Sequence, residues 1–75
     1  MANLELDCRG MNCPMPIVRV SRAVRNIAVG DTITVMADDP SFQPDIEAWV
    51  RMTGQTLRSI TSAGTTRTAV IERCT

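Results

Sequence analysis

The chain has no lysine, no histidine and no tyrosine, and all eight of its basic residues are arginine. The missing lysine excludes Schiff-base chemistry. The missing histidine excludes a Cys–His dyad and any imidazole general base. Aromatic residues are nearly absent: Phe42 and Trp49 stand alone. Both fall at apolar positions of a helical pattern, which makes them core residues and poor platforms for stacked bases. Three cysteines leave one thiol over in any intramolecular pairing, so a reducing compartment fits better than a disulfide-built secreted fold. Three cysteines without histidine and without Cys-x-x-Cys spacing do not make a closed zinc set, and no metal or organic cofactor is expected. The chain does not open on a basic stretch followed by an apolar run. No run reaches the roughly 18 apolar residues that span a bilayer. The reading is a cytoplasmic domain with no membrane partner. Eight acidic residues balance the eight arginines, and a net charge of zero argues against direct contact with nucleic acid.

What is present is a single short domain, residues 1–75, with an apolar content of 44% that is ordinary for a folded chain. Leu4-Glu5-Leu6-Asp7-Cys8 alternates and reads as a strand, with Gly10 marking the turn after it. From Pro14 to about Asn26 the apolar residues Ile17, Val20, Val24, Ile27 and Ala28 keep helical spacing, with Arg19, Arg22, Arg25 and Asn26 on the other side. Thr32 to Ala37 is a β-branched second strand, broken by Asp38-Asp39-Pro40. Ser41 can cap a second helix with Phe42, Ile46, Trp49 and Val50 inward and Gln43, Glu47 and Arg51 outward, Glu47 and Arg51 forming an i,i+4 pair. Gly54 stops it. Two strands follow, at about 56–62 and 66–74, joined at Ala63-Gly64. The order β-α-β-α-β-β gives an α/β (α+β) two-layer sandwich. Its mixed four-stranded sheet has both helices on one face, parallel pairing from two crossovers and an antiparallel pair from the last hairpin. The other face would carry Glu5, Asp7, Thr32 and Thr34.

The chemistry concentrates in Arg9-Gly10-Met11-Asn12-Cys13-Pro14-Met15-Pro16. A proline directly after Cys13 suits the first position of a helix, which makes Cys13 the N-cap. Unpaired N–H groups and the positive end of the helix dipole favour an anion there, so the thiol is expected to have a lowered pKa and to act as the nucleophile. Gly10, Pro14 and Pro16 would shape the loop around it. Pro16 stands where a redox pair would have its second thiol, which disfavours thioredoxin-like chemistry. Cys8 reads as a core residue on the face of Leu4 and Leu6, or as a second thiol near enough to pair with Cys13. Cys74 reads as incidental. Met15, Val18, Arg19 and Arg22 fall within about 100° on the helix side away from the core stripe. With Arg9 they would form an arginine-rimmed apolar docking patch beside the thiol. Met11, Met36 and Met52 read as core or turn residues.

The run Leu6-Asp7-Cys8-Arg9-Gly10-Met11-Asn12-Cys13-Pro14-Met15-Pro16 resembles the signature of the TusA family, also called SirA-like: an acidic residue, a glycine, then Cys-Pro-x-Pro opening a helix. The resemblance continues through Val29-Gly30-Asp31, Val35-Met36-Ala37-Asp38-Asp39-Pro40, Asp45-Ile46 and the stretch near Gly54. It implies a sulfurtransferase-type carrier of the same β-α-β-α-β-β fold. The cysteine of Cys-Pro-x-Pro, by position Cys13, would take sulfane sulfur as a persulfide and pass it to another protein. The implied donors are cysteine desulfurases or rhodanese-type proteins, and the implied acceptors include DsrE-like relay proteins. The implied endpoints are tRNA thiolation, molybdenum-cofactor-linked sulfur supply or sulfur oxidation. Two other classes stay open on the residues alone: a dithiol redox protein using Cys8 and Cys13, and a small RNA-binding or regulatory module.

Overall fold

The two runs that become the central strands of the sheet, residues 32–37 and 66–72, decide the architecture, because each buries alternate residues on one side. The computed structural model describes residues 2–75. In chain order it comprises β1 (Asn3–Asp7), α1 (Met15–Val24), β2 (Thr32–Ala37), α2 (Phe42–Thr53), β3 (Thr56–Ala63) and β4 (Thr66–Glu72). The strands form one sheet in the order β1-β2-β4-β3. β1 runs parallel to β2, with Leu6 beside Val35; β4 is antiparallel to both β2 and β3, with Val35 opposite Ala69 and Ile33 opposite Ile71. Ile33, Val35 and Ala37 of β2 and Ala69 and Ile71 of β4 have no exposed surface. They meet Val20, Ala23 and Val24 of α1 and Phe42, Ile46 and Val50 of α2 in a single core. The two helices also pack on each other, so both lie on one face of the sheet.

The open face carries Glu5, Asp7, Thr32 and Thr34, as strand alternation requires, and continues across β4 with Thr68 and Glu72. Only the first crossover ends in a parallel pair. The second, through α2, delivers β3 one place too far out, and β4 returns between β2 and β3. Parallel pairing is therefore confined to β1 and β2, fewer contacts than two crossovers suggest. The β3–β4 ladder has a bulge between Leu57 and Ser59, and the Arg58 guanidinium reaches Glu72 at 2.5 Å.

Both helices differ at their ends from the sequence expectation. α1 stops at Val24, so Ile27 packs on the core from outside the helix and Ala28 is exposed. Ser41 is the N-cap residue of α2 but makes no side-chain cap bond; its hydroxyl donates to Asp39 instead. Glu47 accepts from Gln43 at 3.5 Å, and among the described residues it forms no ion pair with Arg51. Gly54 closes α2 with φ +77, a left-handed conformation that a side chain disfavours.

The core is small and concentrated, so single truncations are costly. Ile46→Ala should lower unfolding stability by about 2–5 kcal/mol, read from urea denaturation. Met52→Ala, at a residue 86% exposed, should stay within about 0.5 kcal/mol of the parent.

Candidate functional site

The end of β1 feeds the cysteine loop. Cys8 donates its N–H to Met36 O at 2.8 Å and is buried, and Met11 N–H returns to Cys8 O at 3.2 Å. Gly10 turns the chain with φ +81, and its N–H donates to Asp38 Oδ1 at 3.0 Å. Asp38 thus ties this loop to the end of β2. Arg9 forks back onto Asp7, with Nε and Nη2 donating at 2.9 and 2.8 Å. That guanidinium holds the Asp7 carboxyl down at about 2. Pro16, in the first turn of α1, is fully buried and wedges the loop into the core.

Cys13 does not cap α1. The N-cap is Pro14, joined to Cys13 by a cis peptide bond, and the helix begins at Met15. Pro14 and Pro16 have no N–H, and Met15 N–H is taken by Asn12 O at 2.9 Å. The helix start is therefore poor in free donors, which removes most of the reason to expect a stabilised thiolate. The Cys13 side chain is exposed and faces the other helix: Sγ donates to Asp45 Oδ2 at 3.1 Å. This bond favours the protonated thiol and pushes the Cys13 pKa up, with desolvation and the Asp45 and Asp39 charges adding to it. The Ser41 hydroxyl acts in the opposite direction without reversing the balance. The expectation of a depressed pKa is thus overturned.

Beside the thiol lies an open groove of about 270 Å³, lined by Pro14 and Ile17 on one side and by Asp45, Ala48, Trp49 and Met52 of α2 on the other. Two residues that sequence alone placed elsewhere belong to it. Trp49 is only half-buried, and Met52 is strongly exposed. Cys13 Sγ and carboxylate oxygens of Asp39 and Asp45 lie within 4.8 Å of one another. Three donors with an exposed thiol form an acidic rim, short of the four that close a structural zinc site.

The remaining candidates are more dispersed. Met15 is 44% exposed, Val18 and Arg19 are half-buried, and Arg22 is exposed. Arg9 is engaged by Asp7. Arg19 is the cation that acts on a cysteine, and that cysteine is the buried Cys8, whose pKa burial pushes up. Cys74 is exposed beside the Thr56 hydroxyl at 3.1 Å. All three thiols are free. Asp38, Ser41 and Asp45 were not singled out as site residues from sequence. The signal for them is topological: parallel β1 and β2 both run into helices at the same sheet edge, where first-turn side chains of α2 meet the loop after β1.

A sequence model of the family described as Sulfurtransferase TusA matches residues 4–73. The chain belongs to the TusA family. It is 40% identical over 53 residues to a provisionally named sulfur carrier protein of Archaeoglobus fulgidus, covering 71% of this chain and 69% of that one. It is 40% identical over 57 residues to another such protein of Neisseria meningitidis serogroup A, covering 76% and 77%. A Bacillus subtilis relative with a similar provisional name, YrkF, is 36% identical over 53 residues; the match takes in 71% of this chain and 29% of the longer relative. The crystal structure of a SirA-like protein from Desulfitobacterium hafniense superposes with a TM-score of 0.81 at 18% identity, covering all of both chains. The TusA and SirA-like fold is therefore the one described above. Among the described residues no helix is long and apolar enough to cross a membrane.

In this TusA-family chain Cys13 should react with iodoacetamide more slowly at pH 7 than a free cysteine, because less of it is thiolate. Its rate should rise with pH through a midpoint above the roughly 8.5 of an unperturbed thiol. Buried Cys8 should stay unlabelled in the folded protein. Peptide mass spectrometry across a pH series reads both.

Proposed function

We propose that this protein is a sulfur carrier that takes up sulfane sulfur as a persulfide on Cys13 and hands it to a partner protein. The observation that carries this reading is an exposed, free Cys13 thiol within the Cys-Pro-x-Pro turn, opening on an apolar groove. In uptake, Cys13 sulfur attacks the outer sulfur of a donor persulfide R–S–SH. A new S–S bond forms and the donor's S–S bond breaks. The donor sulfur leaves as thiolate and takes up the proton that Cys13 gives up, so Cys13–SH and R–S–SH become Cys13–S–SH and R–SH. The exchange is isoelectronic and needs no external oxidant or reductant. In delivery, a partner thiolate attacks the outer sulfur and Cys13 leaves.

The burial of Cys8 supports a single-thiol route over a Cys8–Cys13 redox pair, since a core thiol with a raised pKa is a poor nucleophile. The open sheet face supports a protein partner over RNA: it carries Glu5, Asp7 and Glu72 among threonines, and both aromatics belong to α2. A cysteine desulfurase or rhodanese-type protein would supply the sulfur, and a DsrE-like relay protein or similar would accept it. The endpoint would be tRNA thiolation, molybdenum-cofactor-linked sulfur supply or sulfur oxidation. Met15, Val18 and Arg22 would meet acidic and apolar surface on these partners, in the cytoplasm.

Incubation with a cysteine desulfurase and cysteine, or with a rhodanese and thiosulfate, should add about 32 mass units, reversibly by reductant. Intact-mass spectrometry should show the gain in the parent and in Cys8→Ser and lose it in Cys13→Ser. A loss of two mass units that needs both Cys8 and Cys13, with no sulfur gained, would replace this reading by the dithiol one. Separately, Arg22→Glu should slow protein-to-protein transfer several-fold at low ionic strength, with the difference closing as salt rises.

A further inference from the structure

The acidic side chains around Cys13 have no part in the chemistry of sulfur exchange as written above, yet they make the closest polar contacts to the reacting atom. Sγ donates to Asp45 Oδ2 at 3.1 Å across 32 residues of chain. Asp39 stands behind, within 4.8 Å of both, and holds the Ser41 hydroxyl. The groups facing the thiol are thus Asp45 from α2 and Asp39 and Ser41 from the segment between β2 and α2. The charges that act on it are those of Asp45 and Asp39. The rest of the surroundings, Pro14, Ile17, Ala48, Trp49 and Met52, is apolar.

We propose that Asp45 is a specificity-determining residue for Cys13: its carboxylate retains the thiol proton and repels anionic sulfur donors, so the preferred donor carries positive charge beside its sulfur. An anion delivered to Sγ comes within a few ångströms of the carboxylate. At that range two unit charges repel enough to slow a reaction several-fold even at the dielectric constant of water, and more where the apolar groove excludes water. A cation gains by the same amount. It also competes for Oδ2, loosens the Sγ–H···Oδ2 bond and raises the share of thiolate just as the donor sulfur arrives. The bonds exchanged are those given above; Asp45 changes which donor reaches them.

The sulfur-donor half of this inference rests on the carrier reading, and the charge filter on Cys13 does not. The test compares the parent, Asp45→Asn and Asp45→Glu in a Cys74→Ser background. Iodoacetamide is neutral and iodoacetate anionic, and both alkylate the thiolate, so their rate ratio cancels the thiolate population and isolates the charge effect. Asp45→Asn should raise the iodoacetate-to-iodoacetamide ratio roughly three- to ten-fold and lower the pH midpoint of alkylation. Asp45→Glu should leave the ratio near the parent's, and high salt should narrow the gap. In sulfur loading, cysteamine persulfide, a cation, should outpace glutathione persulfide, an anion, and Asp45→Asn should erase much of that preference. An unchanged alkylation ratio in an Asp45→Asn protein with the parent's circular dichroism and melting curve overturns the proposal. If that variant is unfolded, Asp39→Asn decides in its place, with a smaller rise expected and no rise counting against the proposal. Where neither persulfide, nor the desulfurase or rhodanese donor, adds 32 mass units to the parent, the carrier reading fails, and the alkylation ratio still decides the role of Asp45.

Discussion

The parallel pairing of β1 with β2 is the constraint from which the site follows. Two parallel neighbours end at the same sheet edge, so the loop after β1 and the loop after β2 emerge side by side, and both helices begin there. That places Cys13, which follows β1, against Asp45, in the first turn of α2 after β2, although 32 residues separate them. Asp38 reinforces the juxtaposition by accepting the Gly10 N–H, so the cysteine loop is fastened to the end of the neighbouring strand. Pro16 pins the other side of the loop by sitting in the core. The thiol is exposed, yet the backbone that presents it is held at both ends. A sulfur carrier that presents one atom to a partner gains from that combination, because a freely moving loop would add ordering entropy to docking.

The elements are legible in the residue pattern, and what depends on tertiary neighbours is not. The alternation in Thr32 to Ala37 fixes which residues point inward, because burial on one face repeats every two residues. The structure agrees residue for residue: Ile33, Val35 and Ala37 are buried. The place of β4 between β2 and β3 was not legible, since the chain order β-α-β-α-β-β is equally compatible with β3 beside β2. Helical spacing makes Trp49 a core residue and Met52 a core or turn residue; Trp49 does pack on the core but is only partly buried, and Met52 is exposed. At helical spacing the inward stripe and the edge of an interhelical groove look the same, and only the approach of α1 separates them. The helix cap failed for a local reason. Cys-Pro-x-Pro looks like an ideal helix opening, but its prolines carry no N–H and Asn12 O takes that of Met15, which leaves few donors to stabilise an anion.

That deletion bears on how a carrier should work. A cysteine at an ordinary helix N-terminus has its pKa depressed, and it becomes both a ready nucleophile and a ready leaving group. For thiol exchange these two properties pull against each other, because nucleophilicity falls with pKa while leaving-group ability rises. A persulfide carrier has to hold its cargo between partners. Cys13, with its pKa raised by Asp45, is the poorer leaving group. A stray thiol that attacks the outer sulfur of a Cys13 persulfide must expel a thiolate facing a carboxylate, in a place where the helix offers few N–H groups to receive it. In the proposed carrier, loss of sulfur to solvent thiols would be slowed for the same reason that Cys13 is a reluctant thiolate. In the proposed carrier a docked protein would lower this obstacle by placing positive charge at Asp45, for delivery as well as for uptake. On that proposal one carboxylate from the second helix would give a resting thiol held protonated, a retained persulfide and a dependence on the partner. The arrangement needs no second cysteine, so Cys8 can serve as core without entering the exchange.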